Sequence, residues 1–156
     1  MTVDLSSLEV IDFGSNLIEK VNLNLPKIKV VNLSSNLIKE FAQVGPLNSL
    51  EELNLDRNGL TVLPVLKAPS LKKLILTANV FTSIANLSAS QLDALEEFRL
   101  EQCKLGSAPF PVVNLPEIKS LYVIESELED VSNLAHSLMP LVEDVNFSNN
   151  KITSMP

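Results

Sequence analysis

Cys103 and His136 are the one cysteine and the one histidine of the 156-residue chain. They could act as nucleophile and base, since such a pair need only meet in space. The acid pairs Glu51-Glu52 and Glu96-Glu97 could in turn share acid–base work. Each of these readings competes with a plainer one set by position. Cys103 stands where neighbouring segments carry an inward-turning Asn, and a small buried thiol is ordinarily structural and unreactive. His136 lacks a second His or Cys at metal-ligand spacing and reads as a surface residue. The acid pairs recur at matching positions, as solvated strand flanks do, and no acid has an evident perturbing partner. Gly-rich phosphate loops, serine elbows and kinase signatures are missing from the sequence. The expectation is a chain that is not an enzyme and uses no cofactor or metal.

Composition narrows the partner. The formal net charge is −7, opposite to the clustered basic field that binding phosphates requires, so nucleic acid and anionic membrane are not expected. No run of 18 apolar residues occurs, and the first ten residues carry two acids and no base, which predicts neither a membrane span nor a signal peptide. A lone cysteine permits no internal disulfide and favours a reducing compartment, the cytoplasm or nucleus. Of the three Asn-x-Ser sequons, at Asn32, Asn86 and Asn146, the repeat places Asn32 and Asn146 on a packed strand face where glycans would not fit.

Apolar residues make up 46% of the chain but aromatics only 4%, so an aliphatic core is required, and its Leu residues repeat. Leu8-Glu9-Val10-Ile11-Asp12-Phe13-Gly14-Ser15-Asn16-Leu17-Ile18 and Ile28-Lys29-Val30-Val31-Asn32-Leu33-Ser34-Ser35-Asn36-Leu37-Ile38 both follow L-x-x-L-x-L-x-x-N-x-L. Further copies run from Leu50 to Leu60, Leu71 to Phe81, Leu95 to Leu105, Ile118 to Leu128 and Val142 to Ile152, with Cys103 and Ser126 replacing Asn in the fifth and sixth. The Asn-equivalent positions lie 20 to 24 residues apart. From Leu8 to Met155 the chain resembles the leucine-rich-repeat superfamily. It looks most like the short, about 22-residue intracellular class of phosphatase-1 regulatory and dynein-associated repeat proteins. Leu60-Thr61-Val62-Leu63-Pro64 and Ile152-Thr153-Ser154-Met155-Pro156 resemble the L-T-x-L-P ending of typical and bacterial repeats. The resemblance implies an α/β solenoid, a curved horseshoe formed by one domain of seven repeats over residues 1–156.

In each repeat the L-x-L alternation reads as a short strand with one apolar face, so about seven parallel strands should line the concave side. Asn16, Asn36, Asn58, Asn79 and Asn150 should form a ladder bonding buried backbone of their own and adjacent turns, with Cys103 and Ser126 as weaker rungs. Prolines in the returns predict short 3-10 turns and loops on the convex side, while Ser88 to Leu95 could form about two helical turns.

The residues between the leucines should face solvent on the concave side. Twenty-eight positions fall there, seven acidic and three basic, giving a net −4. Asn54, Asp56, Arg57, Lys73, Ile75, Arg99, Glu101, Tyr122 and Ile124 combine aromatic, guanidinium, aliphatic and charged groups on neighbouring strands, as binding hot spots do. The function expected is therefore a protein-interaction module or adaptor whose partner has a basic or mixed-charge surface. The alternatives are the recognition domain of a larger enzyme or of an extracellular receptor. Neither end carries a recognisable cap, and Met1 to Leu8 is too short for a capping helix. A longer parent chain or self-association through an end is expected.

Overall fold

In the computed structural model, which describes residues 5–156, the chain winds as a parallel solenoid. Seven strands form one sheet: β1 (Val10–Asp12), β3 (Val30–Asn32), β5 (Glu52–Asn54), β6 (Lys73–Ile75), β7 (Glu97–Glu101), β8 (Ser120–Ile124) and β9 (Asp144–Asn146), stacked in that order. All seven fall where the repeat places them. Two further strands, β2 (Lys20–Leu23) and β4 (Glu40–Gln43), pair in parallel on the returns of the first two repeats. Met1–Asp4, half of the segment expected to be too short for a capping helix, lie outside the described residues.

Register joins identical frame positions. Ile11, Val31, Leu53, Leu74, Phe98, Leu121 and Val145 pair in sequence across the sheet. The five inner members are buried, while Ile11 is partly buried and Val145 is exposed. A lone repeat cannot cover its leucines, and each turn is stable because the next one covers it. Burial of one such side chain contributes roughly 1.5 to 3 kcal/mol.

The asparagine ladder forms as expected in the interior. Asn58 Nδ2 donates to Leu33 O at 3.0 Å in the preceding turn and to Leu55 O at 3.1 Å in its own, while Asn58 Oδ1 accepts from Ile38 N–H at 3.0 Å. Asn36, Asn79 and Asn150 repeat this pattern. Asn16 differs from the expected buried rung. It is exposed and donates only to Phe13 O and Gly14 O of its own turn, because β1 is the edge of the sheet. Ser126 is fully buried, its hydroxyl donating to Ile124 O at 2.8 Å and accepting Cys103 N–H at 3.3 Å, a shorter reach than an amide has. The residue before every rung, Ser15, Ser35, Arg57, Ala78, Gln102, Glu125 and Asn149, has a left-handed φ between 51° and 57°. That conformation costs a non-glycine residue about 1–2 kcal/mol. The ladder bonds of the next residue hold the chain in it.

The returns correct one expectation. Ser88 to Leu95 is not helical, and the nearby helical turn is a 3-10 turn at Ala85–Leu87. Side chains divert the backbone there. Ser90 Oγ donates to Asn86 O at 2.9 Å and accepts Leu66 N–H at 3.0 Å, while Gln91 N–H donates to Leu66 O at 2.7 Å. Hydroxyls that bond backbone in this way compete with helix. The same device recurs two repeats later around a 3-10 turn at Ser132–His136, where Ser137 Oγ donates to Asn133 O and accepts Val113 N–H. Asn86 and Asn133 complete it by donating to Leu63 O and Phe110 O of the preceding returns.

Candidate protein-binding face

On the solvent side of the sheet, register sets Asn54 beside Ile75, Ile75 beside Arg99, Arg99 beside Tyr122, and Glu101 beside Ile124. These are six of the nine residues expected to bind a partner. Lys73 lies in the adjoining row, next to Glu97. Asp56 and Arg57 come after β5 in the turn, where Arg57 extends into solvent and approaches Asp56 at 3.9 Å.

Charges here are largely answered by one another. Glu97 holds Lys73 at 3.2 Å and Arg99 at 3.2 Å, and Arg99 reaches Glu101 at 3.3 Å. The Arg99 guanidinium lies 4.8 Å from the centre of the Tyr122 ring, and Tyr122 Oη donates to Asp144 Oδ2. Sequence reasoning singled out Lys73, Arg99 and Tyr122 but missed Glu97 and Asp144 as the acids that fix them. For Lys73 the signal was present, since Lys73 and Glu97 share one frame position in neighbouring repeats and opposite charges there must meet across parallel strands.

Toward β1 the face is less balanced. A hollow of about 340 Å³ opens over β3, β5 and β6 between Asp12, Asn32, Glu52, Asn54, Lys73 and Ile75. Asp12 Oδ1 accepts from Asn32 Nδ2 at 3.0 Å, and Asn54 Oδ1 accepts from Asp56 N–H at 2.9 Å. Asp56 Oδ1 and Thr77 Oγ1, one row away, are buried without a hydrogen-bond partner.

The candidate catalytic pair does not assemble. Cys103 is buried below the turn after β7 with its thiol on Glu101 O at 3.5 Å, whereas His136 ends an exposed convex turn. Burial pushes the thiol up to about 11, against the pull of backbone hydrogen bonds from Asn79 and Phe81. Iodoacetamide at pH 8 should therefore leave Cys103 unmodified in the native protein and label it once urea unfolds the chain. Fast labelling of the native protein, detected by mass spectrometry, would contradict this placement. Among the described residues, no group of three or more His, Cys, Asp or Glu side chains is placed to hold a metal, and no helix is long and apolar enough to cross a membrane.

No family model and no solved structure matches the chain. Human (Homo sapiens) Toll-like receptor 6 is 34% identical over an alignment of 139 residues, taking in 70% of this chain and 17% of that protein. Together with the stacked parallel turns and the asparagine ladder, this match supports a leucine-rich-repeat-like superfamily. The fold is leucine-rich-repeat-like. The chain spans only about a sixth of its relative's length. A function for this leucine-rich-repeat-like solenoid must therefore come from its own concave face.

Proposed function

We propose that the chain is a non-catalytic interaction module that binds a partner protein on the concave face across β5 to β8. The observation that carries this reading is Arg99, held over the Tyr122 ring between Glu97 and Glu101, with half-buried Ile75 and Ile124 alongside. An arginine and an aromatic fixed before binding lose little entropy on complex formation, which is what makes such residues hot spots. Lys73 and Arg99 are already matched by acids, whereas Glu52 and Asp12 form no ion pair among the described residues, so the face suits a basic or mixed-charge protein surface. Nucleic acid is disfavoured by the same field.

Several observations support an intracellular setting, cytoplasmic or nuclear, and the short intracellular repeat class. The lone cysteine is buried and unpaired. Asn32 Nδ2 donates to Asp12, and Asn86 Nδ2 to Leu63 O at 2.9 Å, so a glycan on either nitrogen would crowd a structural hydrogen bond. The likeness to a Toll-like receptor favours a second reading, the recognition domain of a receptor. Glycan found at Asn86 in a native source would select that reading.

Affinity capture with the chain as bait, repeated with Arg99→Gln plus Tyr122→Ala, tests the face. Partner binding is expected to weaken at least tenfold, about 1.4 kcal/mol or more, with circular dichroism unchanged. An intact double variant that binds normally would move recognition to the convex side or to an end.

A further inference from the structure

Asn58 is followed by Gly59, the one Asn-Gly pair in the chain. At the other ladder asparagines the next residue is bulky: Leu17, Leu37, Val80 or Lys151. An asparagine before glycine is the most open to attack by the next backbone nitrogen, because no Cβ shields that nitrogen and the backbone turns freely. The step consumes only water. The Gly59 nitrogen, its proton lost to hydroxide, bonds to Asn58 Cγ, while the bond from Cγ to Nδ2 breaks and Nδ2 takes a proton from water to leave as ammonia. Water then opens the five-membered imide at either carbonyl, leaving aspartate or isoaspartate at position 58. Backbone geometry does not demand glycine here. The left-handed glycines are Gly45 and Gly106, and a Cβ on Gly59 would meet the flexible Lys39 Cγ at 3.3 Å and Ile38 O at 3.4 Å.

In the folded chain both reactants are gripped by Ile38, which is fully buried in the preceding turn. Its N–H donates to Asn58 Oδ1 at 3.0 Å, and its carbonyl accepts the Gly59 N–H at 2.9 Å. The proton that must leave is therefore already hydrogen-bonded. The departing Nδ2 is held by three carbonyls, Leu33 O at 3.0 Å, Leu55 O at 3.1 Å and Asp56 O at 3.1 Å. Attack requires the nitrogen to approach Cγ in line from about 3–3.5 Å. Closing the ring from there rotates the amide and the Gly59 peptide against each other and pulls on every one of these bonds.

We propose that Asn58-Gly59 is a deamidation site that the folded ladder shields, and that conversion there makes a passage through the opened state permanent. Aspartate at position 58 would still accept the Ile38 N–H but would have no hydrogen for Leu33 O, Leu55 O and Asp56 O. Isoaspartate would also lengthen the main chain by a methylene inside a stacked turn. The rung is lost in an interior repeat, whose neighbours are stable because they cover each other. A chain that opens and is converted before it recloses leaves the native pool, one route by which unfolding becomes irreversible. Asp56 and Arg57 come just before this rung, and the left-handed φ of 51° at Arg57 is the conformation the rung holds, so the damage extends to the concave face.

The full chain tests this without a partner. Wild type and Gly59→Ala are kept with a reductant at mildly alkaline pH, in buffer and in guanidinium chloride above the unfolding midpoint. Peptide mass spectrometry follows conversion at Asn58, with Asn79 as internal reference. In denaturant, Asn58 of the wild type is expected to convert roughly tenfold or more faster than Asn79, and Gly59→Ala to remove that lead. In buffer, conversion at Asn58 should slow by roughly tenfold or more, since it must wait for the rung to open. Wild-type chain aged in denaturant and returned to buffer should then unfold at a lower denaturant concentration than fresh chain, in step with the fraction converted, whereas equally aged Gly59→Ala should keep its midpoint. Equal rates in buffer and denaturant would show that the ladder does not shield the pair. Equal rates at Asn58 and Asn79 in denaturant, or an unchanged midpoint after conversion, would likewise overturn the proposal. Each of these outcomes is separate from the concave-face reading, which partner capture tests.

Discussion

Leu76→Ala is expected to destabilise the solenoid by about 3–4 kcal/mol, whereas Phe13→Ala, at the same frame position, should cost under about 0.5 kcal/mol. Phenylalanine loses more atoms on truncation, so side-chain size predicts the opposite order. Position decides. Leu76 is fully buried between the turns of β5 and β7, and its removal leaves a cavity that packed neighbours on both sides cannot fill. Phe13 lies on the edge turn with one flank in solvent, so truncation removes little buried area. A central lesion also separates two arms that stabilise each other only through it, so the Leu76 variant should lose cooperativity and show a lower denaturant slope. Urea unfolding monitored by circular dichroism gives both quantities. Equal losses for the two variants would mean that the β1 end is covered in solution.

The seven strands and the ladder positions were legible because they obey one period. A residue that must pack against its own equivalent one turn away reappears every 20 to 24 residues, and sequence spacing alone fixes its neighbours. Features that depart from that period were not legible. Among the described residues the Asn86–Ser90 clasp recurs only at Asn133–Ser137, two repeats on, so no adjacent copy reveals it. Propensity favoured helix over Ser88 to Leu95, but hydrogen bonds to the preceding return outweighed it. Pairing of β2 with β4 depends on both returns leaving their strand with the same spacing, Asp12 to Lys20 and Asn32 to Glu40, which the strand frame does not describe.

Charge shows the same division between counting and register. The net −4 of the concave face was readable, yet only register shows that Glu97 lies between Lys73 and Arg99 and pairs with both. Glu51 and Glu96 likewise looked like isolated strand flanks, and only stacking shows that lysines separate them in an alternating row. Net charge is set by composition, whereas the charges open to a partner are set by which residues share a row.

Asn79→Ala should lower stability by about 2–3 kcal/mol, and Asn48→Ala by no more than about 0.5 kcal/mol. Asn79 is buried, and its amide bridges two turns, donating to Leu55 O and Leu76 O at 2.9 Å each while accepting Leu60 N–H at 3.1 Å. Alanine would strand the Leu60 N–H and leave both carbonyls short of a donor. Asn48 is exposed on a convex turn, where solvent satisfies whatever its side chain loses. The two substitutions remove identical atoms, so the difference between their urea midpoints isolates the ladder contribution. Asn79→Asp adds a further arm. Its carboxylate could still accept Leu60 N–H but would face Leu55 O and Leu76 O with no hydrogen to donate, so at pH 7 it should be at least as destabilising as alanine. A midpoint for Asn79→Asp close to the wild type would show that the accepting bond alone holds the turn, and that the donated bonds to the carbonyls contribute nothing measurable.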